Sequence, residues 1–304
     1  MHAGFAPAGR FGADQEQSFQ TNPVTREHIL RKSMHLSLLG ACAGTLFSLS
    51  AYAQPAPEVT LTRFSDCGTP QAPTEVNLRF SDTYAFPGVK VQFTFSCYLI
   101  KRGDEYMIWD TGHPMSAPNV APKTSLVDQL AQLNLKPEQI KYVGISHFHG
   151  DHTGQVGSFP NATLLIGKGD WDGLNAKPPA GGANPAPFAH WIGGGGKVEP
   201  LPADKDVFGD GSVIILNTPG HTPGHHSLLV KLREKGNVLI SGDLIHFHEN
   251  YEGNGVPTFN VNRADTLASI ERFKKIAANL KATVILQHDA RDVGKLPAFP
   301  AAAK

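Results

Sequence analysis

The sequence predicts a layered α/β fold, and three observations carry that expectation. From residue 89 onward short apolar strand runs alternate with helical stretches, and four of the strands run into His or Asp. Hydrophobic residues make up 40% of 304 positions, enough for a sizeable core. In layered α/β proteins the loops beyond strand ends converge while the sheet holds their bases still, so ligands gather there.

The elements follow in order. Val89–Ile100 and Glu105–Trp109 read as an antiparallel pair around Arg102-Gly103-Asp104, closed by the turn residues Asp110-Thr111-Gly112. A helix is predicted over Ser125–Asn134, with Leu126, Val127, Leu130 and Leu133 on one face and Pro137 beyond its end. Ile140–Ile145 is a short strand that leads into His147-Phe148-His149-Gly150-Asp151-His152. Val213–Asn217 leads into Thr218-Pro219-Gly220-His221-Thr222-Pro223-Gly224-His225, Val238–Ser241 into Gly242-Asp243, and Thr283–Gln287 into His288-Asp289. Ala264–Leu280 is helical, with Leu267, Ile270, Phe273, Ile276 and Leu280 as its apolar stripe and Glu271–Lys275 as an i,i+4 pair.

Three imidazoles and a carboxylate within six residues are costly to crowd together unless a cation offsets them. His147 and His149, two apart in an extended loop, point the same way and reach one ion. Asp151 and His152 lie past Gly150, where the backbone can turn towards a second. Imidazole and carboxylate without thiolate suit Zn²⁺, with Fe, Mn or Co as alternatives. Ions roughly 3.5–4 Å apart lower the pKa of bound water to around 7 and stabilise attacking and leaving oxygens. Asp110 is expected to orient the site loop through hydrogen bonds rather than bind metal, although a plain turn cap accounts for it nearly as well.

Charge and the N-terminus narrow the setting. With 27 basic and 27 acidic residues a strongly basic face for nucleic acid is not expected, a local patch being the alternative, and no stretch reaches the roughly 18–20 apolar residues of a membrane span. Residues 1–28 are polar and lack periodicity. Arg31 and Lys32, the apolar run Leu36–Leu49 and Ala51-Tyr52-Ala53-Gln54 read as a secretory signal cleaved after Ala53, with a buried helix as the alternative. Residues 1–53 are therefore taken as extension plus signal, with Val24 or Met34 as a candidate true start, and 54–304 as one hydrolase domain, periplasmic or secreted. Leu39-Gly40-Ala41-Cys42 faintly resembles a lipoprotein processing site. In an oxidising compartment Cys67 and Cys97 are open to disulfide formation, while a buried free thiol at Cys97 is equally ordinary.

The motif His-x-His-x-Asp-His at 147–152, followed by His225, Asp243 and His288, resembles the metallo-β-lactamase superfamily. That resemblance implies an αββα sandwich with a metal site at one edge of its two sheets. It implies that His147, His149 and His225 hold one divalent ion, that Asp151, His152 and His288 hold a second, and that Asp243 bridges them. The Pro-Gly-His-Thr-Pro-Gly-His pattern is taken to select its last His, His225, which leaves His221 a supporting or packing role. Asp243 stands where the family's true β-lactamases usually carry Cys or Ser, which argues against antibiotic hydrolysis.

Within the family the chain looks like the N-acyl homoserine lactone lactonases over roughly residues 60–300. Phe95-Ser96-Cys97-Tyr98-Leu99-Ile100, Ile108-Trp109-Asp110-Thr111-Gly112 and Gly242-Asp243-Leu244-Ile245-His246 are similar to their segments, as are Gln287-His288-Asp289 and Phe299-Pro300. The likeness implies lactone ring opening by a bridging hydroxide, with Asp151 passing a proton to the leaving alkoxide. Many such lactonases carry Tyr three residues after the bridging aspartate; His246 here is expected to donate to the substrate carbonyl instead, the alternative being a packing or surface role, with Tyr251 a weaker substitute. The implied partner is a small-molecule substrate with an acyl chain, and a homodimer is left open.

Substrate choice is expected from two regions. Trp171–Pro200 is read as a lid that lays Phe188 and Trp191 over the acyl chain, the alternative being a loop packed down on the sandwich. His246–Asn262, with Phe247, His248, Tyr251 and Phe259, is expected to line the opposite wall, and Phe64, Phe80, Tyr84 and Phe86 to join the pocket or a dimer interface. The rival functions are an aryl phosphotriesterase, thioester hydrolysis of the glyoxalase II kind and a non-catalytic metal-binding sandwich.

Overall fold

The computed structural model describes residues 57–77 and 79–304. The signal reading of residues 1–53, with Cys42 and the candidate starts, lies outside the described residues. Among the described residues thirteen strands form in chain order: β1 (Val59–Arg63), β2 (Thr74–Glu75), β3 (Lys90–Val91), β4 (Tyr98–Arg102), β5 (Glu105–Trp109), β6 (Ile140–Ile145), β7 (Thr163–Gly167), β8 (Val198–Leu201), β9 (Lys205–Asp206), β10 (Val213–Asn217), β11 (His226–Leu232), β12 (Gly236–Ile240) and β13 (Thr283–Ile285). One sheet runs β1-β4-β5-β6-β7-β8 and the other β13-β12-β11-β10-β9, with β2-β3 as a separate pair. The helices are α1 (Leu126–Gln132), α2 (Gly150–Thr153), α3 (Lys168–Asn175), α4 (Ala189–Ile192), α5 (His248–Gly253) and α6 (Arg263–Asn279).

Period-2 alternation builds three apolar layers from these strands. Tyr98, Ile100, Met107 and Trp109 face inward and meet Leu228, Val230, Val238 and Ile240 of the second sheet. Their neighbours Leu99 and Ile108 face outward and pack with Leu126 and Leu130 of α1. On the far side Leu229 and Leu239 cover Ile270 and Phe273 of α6. Helix, sheet, sheet and helix thus stack as the αββα sandwich that the family resemblance implied.

Local signals explain the two main helices. Ser125 caps α1 by accepting from the Asp128 amide, and Asn262 caps α6 by accepting from the Asp265 amide, each satisfying an N–H that the first turn leaves free. The buried face of α6 is Thr266, Ser269, Ile270, Phe273 and Ala277. Leu280 stays 36% exposed, so the stripe is narrower than its apolar residues suggested and includes two hydroxyls. One of these, Ser269, donates to the Pro219 carbonyl and anchors the helix to a site loop.

Two expectations change. The strand read over Val89–Ile100 is interrupted between β3 and β4, because Thr94 leaves its neighbours and pairs with His288, donating to its carbonyl at 3.0 Å. Trp171–Pro200 is no lid over an acyl chain: Phe188 and Trp191 are buried in the outer core with Phe148 and Phe159. Burying two large aromatics against the sheet stabilises the loop by several kcal/mol, which holds it down. Cys67 and Cys97 form a disulfide with Cα atoms 6.0 Å apart.

Candidate metal centre

Parallel pairing of β5 with β6 and of β12 with β13 aims their C-terminal ends at one edge of the sandwich. Asp110 follows β5, His147 follows β6, Asp243 follows β12 and His288 follows β13. β10 is antiparallel to β11 and so runs with β12, delivering the 218–225 loop to the same edge.

The side chains gather in two groups. His147, His149, His221 and Asp243 bring one ligand atom each within 4.8 Å of one another, and Asp151, His152 and His288 do the same. His147 Nε2 lies 2.8 Å from His149 Nδ1 and 3.2 Å from His221 Nε2, which is 3.0 Å from His149 Nδ1. Asp243 sits between the groups with its oxygens divided. Its Oδ2 is 3.6 Å from His147 Nε2 and 3.4 Å from His221 Nε2, whereas Oδ1 is 3.1 Å from His152 Nε2 and 2.7 Å from His288 Nε2. Asp151 Oδ2 faces His152 and His288 at 3.6 Å.

His225 is the correction. The structure places His221 in the first group and turns His225 away from it. The His225 Nε2 accepts from the Asp243 amide at 2.9 Å, and its Nδ1 is 3.0 Å from the Thr218 carbonyl, so both ring nitrogens are already used. Burial pushes this imidazole down to about 3, the neutral form that such an acceptor requires. His221 reaches inward because Gly220 has φ +134°, and a Cβ there would fall 2.3 Å from the Thr266 amide nitrogen at the start of α6. Gly242 likewise adopts φ +56° against the His225 ring, which seats Asp243.

Each inward nitrogen is set by what the other one does. His288 Nδ1 is 2.7 Å from the Thr94 carbonyl, His221 Nδ1 is 2.9 Å from Asn260 Oδ1, and His152 Nδ1 is 2.8 Å from Asp110 Oδ2. A ring that donates from Nδ1 presents a bare Nε2 to the centre. Asp110 is fully buried, with φ +57°, and accepts from the Ser146 amide and hydroxyl and from Gln287 Nε2 as well. It orients the site, as its position after β5 suggested.

The sequence offered no signal for Asp170. This buried residue of α3 accepts from the Phe148 amide, the Gly224 amide and the Thr222 hydroxyl, tying the first histidine loop to the 218–225 loop. Burial pushes its carboxyl up to about 7 against those three donors. An aspartate in the first turn of a helix reads as a solvent-facing residue that favours the helix start, and only tertiary contact shows otherwise.

Electrostatics test whether these groups fit metal ions. Burial drives His147 and His221 well below the usual imidazole range, and His149 lower too. Burial also opposes charge on His152 and His288, yet Asp243 and Asp151 raise both, His152 most with Asp110 behind it. Asp243, despite burial, is held well below the carboxylate range by His288, His152, His246 and His147. The carboxylates therefore demand positive charge at the centre. Three ring nitrogens within 3.2 Å cannot all share protons, but they match the edge of about 3.3 Å expected for a tetrahedron of Zn–N bonds near 2.05 Å. The donor set fits two divalent ions.

A cavity of about 430 Å³ opens onto the centre, lined by His149, Asp151, Asp243 and His246 together with Phe80, Phe93, Phe95 and Phe259. His246 Nε2 is 3.2 Å from Asp243 Oδ2, while its buried Nδ1 has no hydrogen-bond partner. The ring packs 5.3 Å from Phe80 and 5.7 Å from Phe259. Phe259 and Phe80 thus line the wall as expected. Phe247 is core, His248 pairs with Asp292, and Tyr251 packs over α6 under Lys274. Tyr251 is therefore turned from the cavity and is no substitute donor.

A sandwich whose two sheets deliver paired histidine groups to one edge, with a shared aspartate between them, defines a two-ion metalloprotein of the αββα class. The sequence profile of the metallo-beta-lactamase superfamily matches residues 95–288, and the chain belongs to that superfamily. It is 34% identical over 178 residues to the N-acyl homoserine lactonase AttM of Rhizobium radiobacter, an alignment that covers 54% of this chain and 63% of that relative. It is 29% identical over 235 residues to an N-acyl homoserine lactonase of a Bacillus species, covering 70% and 88%. A solved quorum-quenching N-acyl homoserine lactone hydrolase superposes with TM-score 0.67 at 25% identity, over 81% of this chain and 98% of that one.

Proposed function

We propose that this chain is a dinuclear-metal hydrolase that opens the lactone ring of N-acyl homoserine lactones. The observation that carries the reading is the division of the two Asp243 oxygens between the histidine groups, at the floor of a phenylalanine-lined cavity. The similarity to lactonases from two bacterial groups supports it.

His147, His149 and His221 would hold one ion, Asp151, His152 and His288 the other, and Asp243 both. All-nitrogen-and-oxygen donors of this kind favour zinc. When bound, two such ions supply the acidity that activates water near neutral pH and polarises an ester carbonyl. The protein's own work is orientation and proton handling. Phe80, Phe93, Phe95 and Phe259 receive the acyl arm and exclude water from it. His246, kept neutral by burial, would pass its Nε2 N–H from Asp243 Oδ2 to the substrate carbonyl oxygen once that carboxylate is held by metal. Asp151, whose side chain is 20% exposed on the cavity wall, takes a proton on its carboxylate and returns it to the departing ring alkoxide.

The chain is proposed to act outside the cytoplasm. The signal-like segment ending at Ala53 and the Cys67–Cys97 disulfide both support an oxidising compartment.

The test is turnover by metal-loaded protein from Gln54 onward, with short- and long-chain N-acyl homoserine lactones, an aryl phosphotriester and a β-lactam compared in one assay. Ring opening should far exceed the others and vanish with chelation or Asp243→Asn. A faster phosphotriester would overturn the lactonase reading and leave the ion assignment standing.

A further inference from the structure

Arg79 lines the cavity and is exposed, so it stands where the cavity meets solvent. Its guanidinium carbon is 5.5 Å from the Phe80 ring centre and 5.6 Å from that of Phe259. Both of those rings also pack against His246. Steps of 5.3 Å from His246 to Phe80 and 5.5 Å on to the guanidinium put the cation no more than about 11 Å from the imidazole. One aromatic layer therefore separates the proposed carbonyl donor from a fixed positive charge.

The position is held rather than incidental. The Arg79 carbonyl accepts from the Thr258 amide at 3.0 Å and its hydroxyl at 3.3 Å, which pins the backbone beside Phe259. Among the described residues no carboxylate pairs with this guanidinium. The acids nearest in sequence are engaged elsewhere, Asp82 with Arg263 and Glu75 with the Gly88 amide. Contact with ring faces leaves the in-plane N–H donors free. A wholly aliphatic arm would occupy the phenylalanine surface and crowd the cation without answering it.

We infer that Arg79 is a specificity-determining residue that selects substrates whose acyl arm carries an oxygen acceptor, a carbonyl or a carboxylate, near the cavity mouth. The inference rests on the acyl-lactone reading for the other end of the substrate. A planar, pre-positioned fork of donors recognises such an oxygen at little ordering cost. Gln71 and Thr74, which also line the cavity, add polar surface that an arm with no polar group would leave unanswered.

The experiment is calorimetric binding to the metal-loaded chain of three ring-opened N-acyl homoserines matched in arm length. One arm is saturated, one carries a mid-chain ketone and one ends in a carboxylate. The oxygen-bearing ligands should bind the wild type about five- to tenfold more tightly than the saturated one. Arg79→Met keeps the length and ring contact and should shrink that gap to within about twofold, while Arg79→Lys should keep preference only for the carboxylate. Preference for one oxygen-bearing arm alone identifies which acceptor is read and supports the inference. Equal binding of all three by the wild type, or a gap that survives in Arg79→Met, overturns it. Turnover of the parent lactones separates the two readings. Opening all three with equal kcat/KM keeps the lactone reading and removes the role of Arg79; opening none while still ranking the acids by their arms does the reverse; opening none and binding no acid removes both.

Discussion

Asp110 and His152 share a buried hydrogen bond, Oδ2 to Nδ1 at 2.8 Å, that spans 42 residues and joins the end of one strand to the proposed ligand loop of the next. The carboxylate fixes the ring's tautomer and strengthens Nε2 as a donor to an ion. Asp110→Asn keeps the shape but loses the charge and must turn an NH₂ towards some of its donors. Affinity for the second ion should fall about 10- to 100-fold. Chelator competition reads this directly, and unchanged retention of both ions would rule out the orienting role.

The two histidines of the 218–225 loop should separate cleanly. His221→Ala should lose about one equivalent of metal and more than 100-fold in kcat/KM, since it removes a donor from the first group. His225→Ala should keep close to two equivalents while activity drops roughly tenfold, because the Asp243 amide loses its acceptor and the aspartate loses its seat. Metal analysis beside kinetics decides it. The opposite pattern would restore His225 as the ligand.

Asp170 gives a pH dependence with a definite sign. Its carboxyl, raised to about 7 in the folded chain, has an unfolded value near 4. A raised acid stabilises the fold fully below the unfolded value and loses that contribution as pH rises through the folded one. The advantage of wild type over Asp170→Asn in urea unfolding should therefore shrink between pH 5 and pH 8. A gap that is constant, or that widens, is incompatible with a carboxyl raised by burial.

Ion removal should also be visible in stability. Without cations the crowded nitrogens of His147, His149 and His221 and the buried Asp243 repel or protonate. Binding at about 1,000 times Kd contributes about 4 kcal/mol, and each kcal/mol shifts Tm by about 2–4 °C in a chain of this size. Calorimetric scans with and without chelator should thus differ by roughly 10 °C. Identical scans would mean that the centre binds no ion tightly.

Much of this was legible in the chain because strand alternation and strand ends are local signals. Glu105–Trp109, Ile140–Ile145 and Val213–Asn217 fall where the pattern put them, and six of the seven expected donors converge. The seventh failed for a physical reason. Pro-Gly-His occurs twice in seven residues, and only the packing of Gly220 on α6 and the capture of His225 by the Asp243 amide tell the two apart. The cavity wall was harder still. Phe80, Phe93 and Phe95 come from a stretch without periodicity, whereas Phe188 and Trp191, which looked poised over the site, gain more by burial in the outer core.

The bond between His288 and Thr94 spans 194 residues, and Thr94 returns one of its own from amide to carbonyl. During translation the first histidine group has every member once residue 243 has been made, but the second waits until residue 288 emerges and folds back to a segment laid down long before. The two halves of the centre thus receive their last members in a set order, and even the first waits for Asn260 and the start of α6 to seat His221.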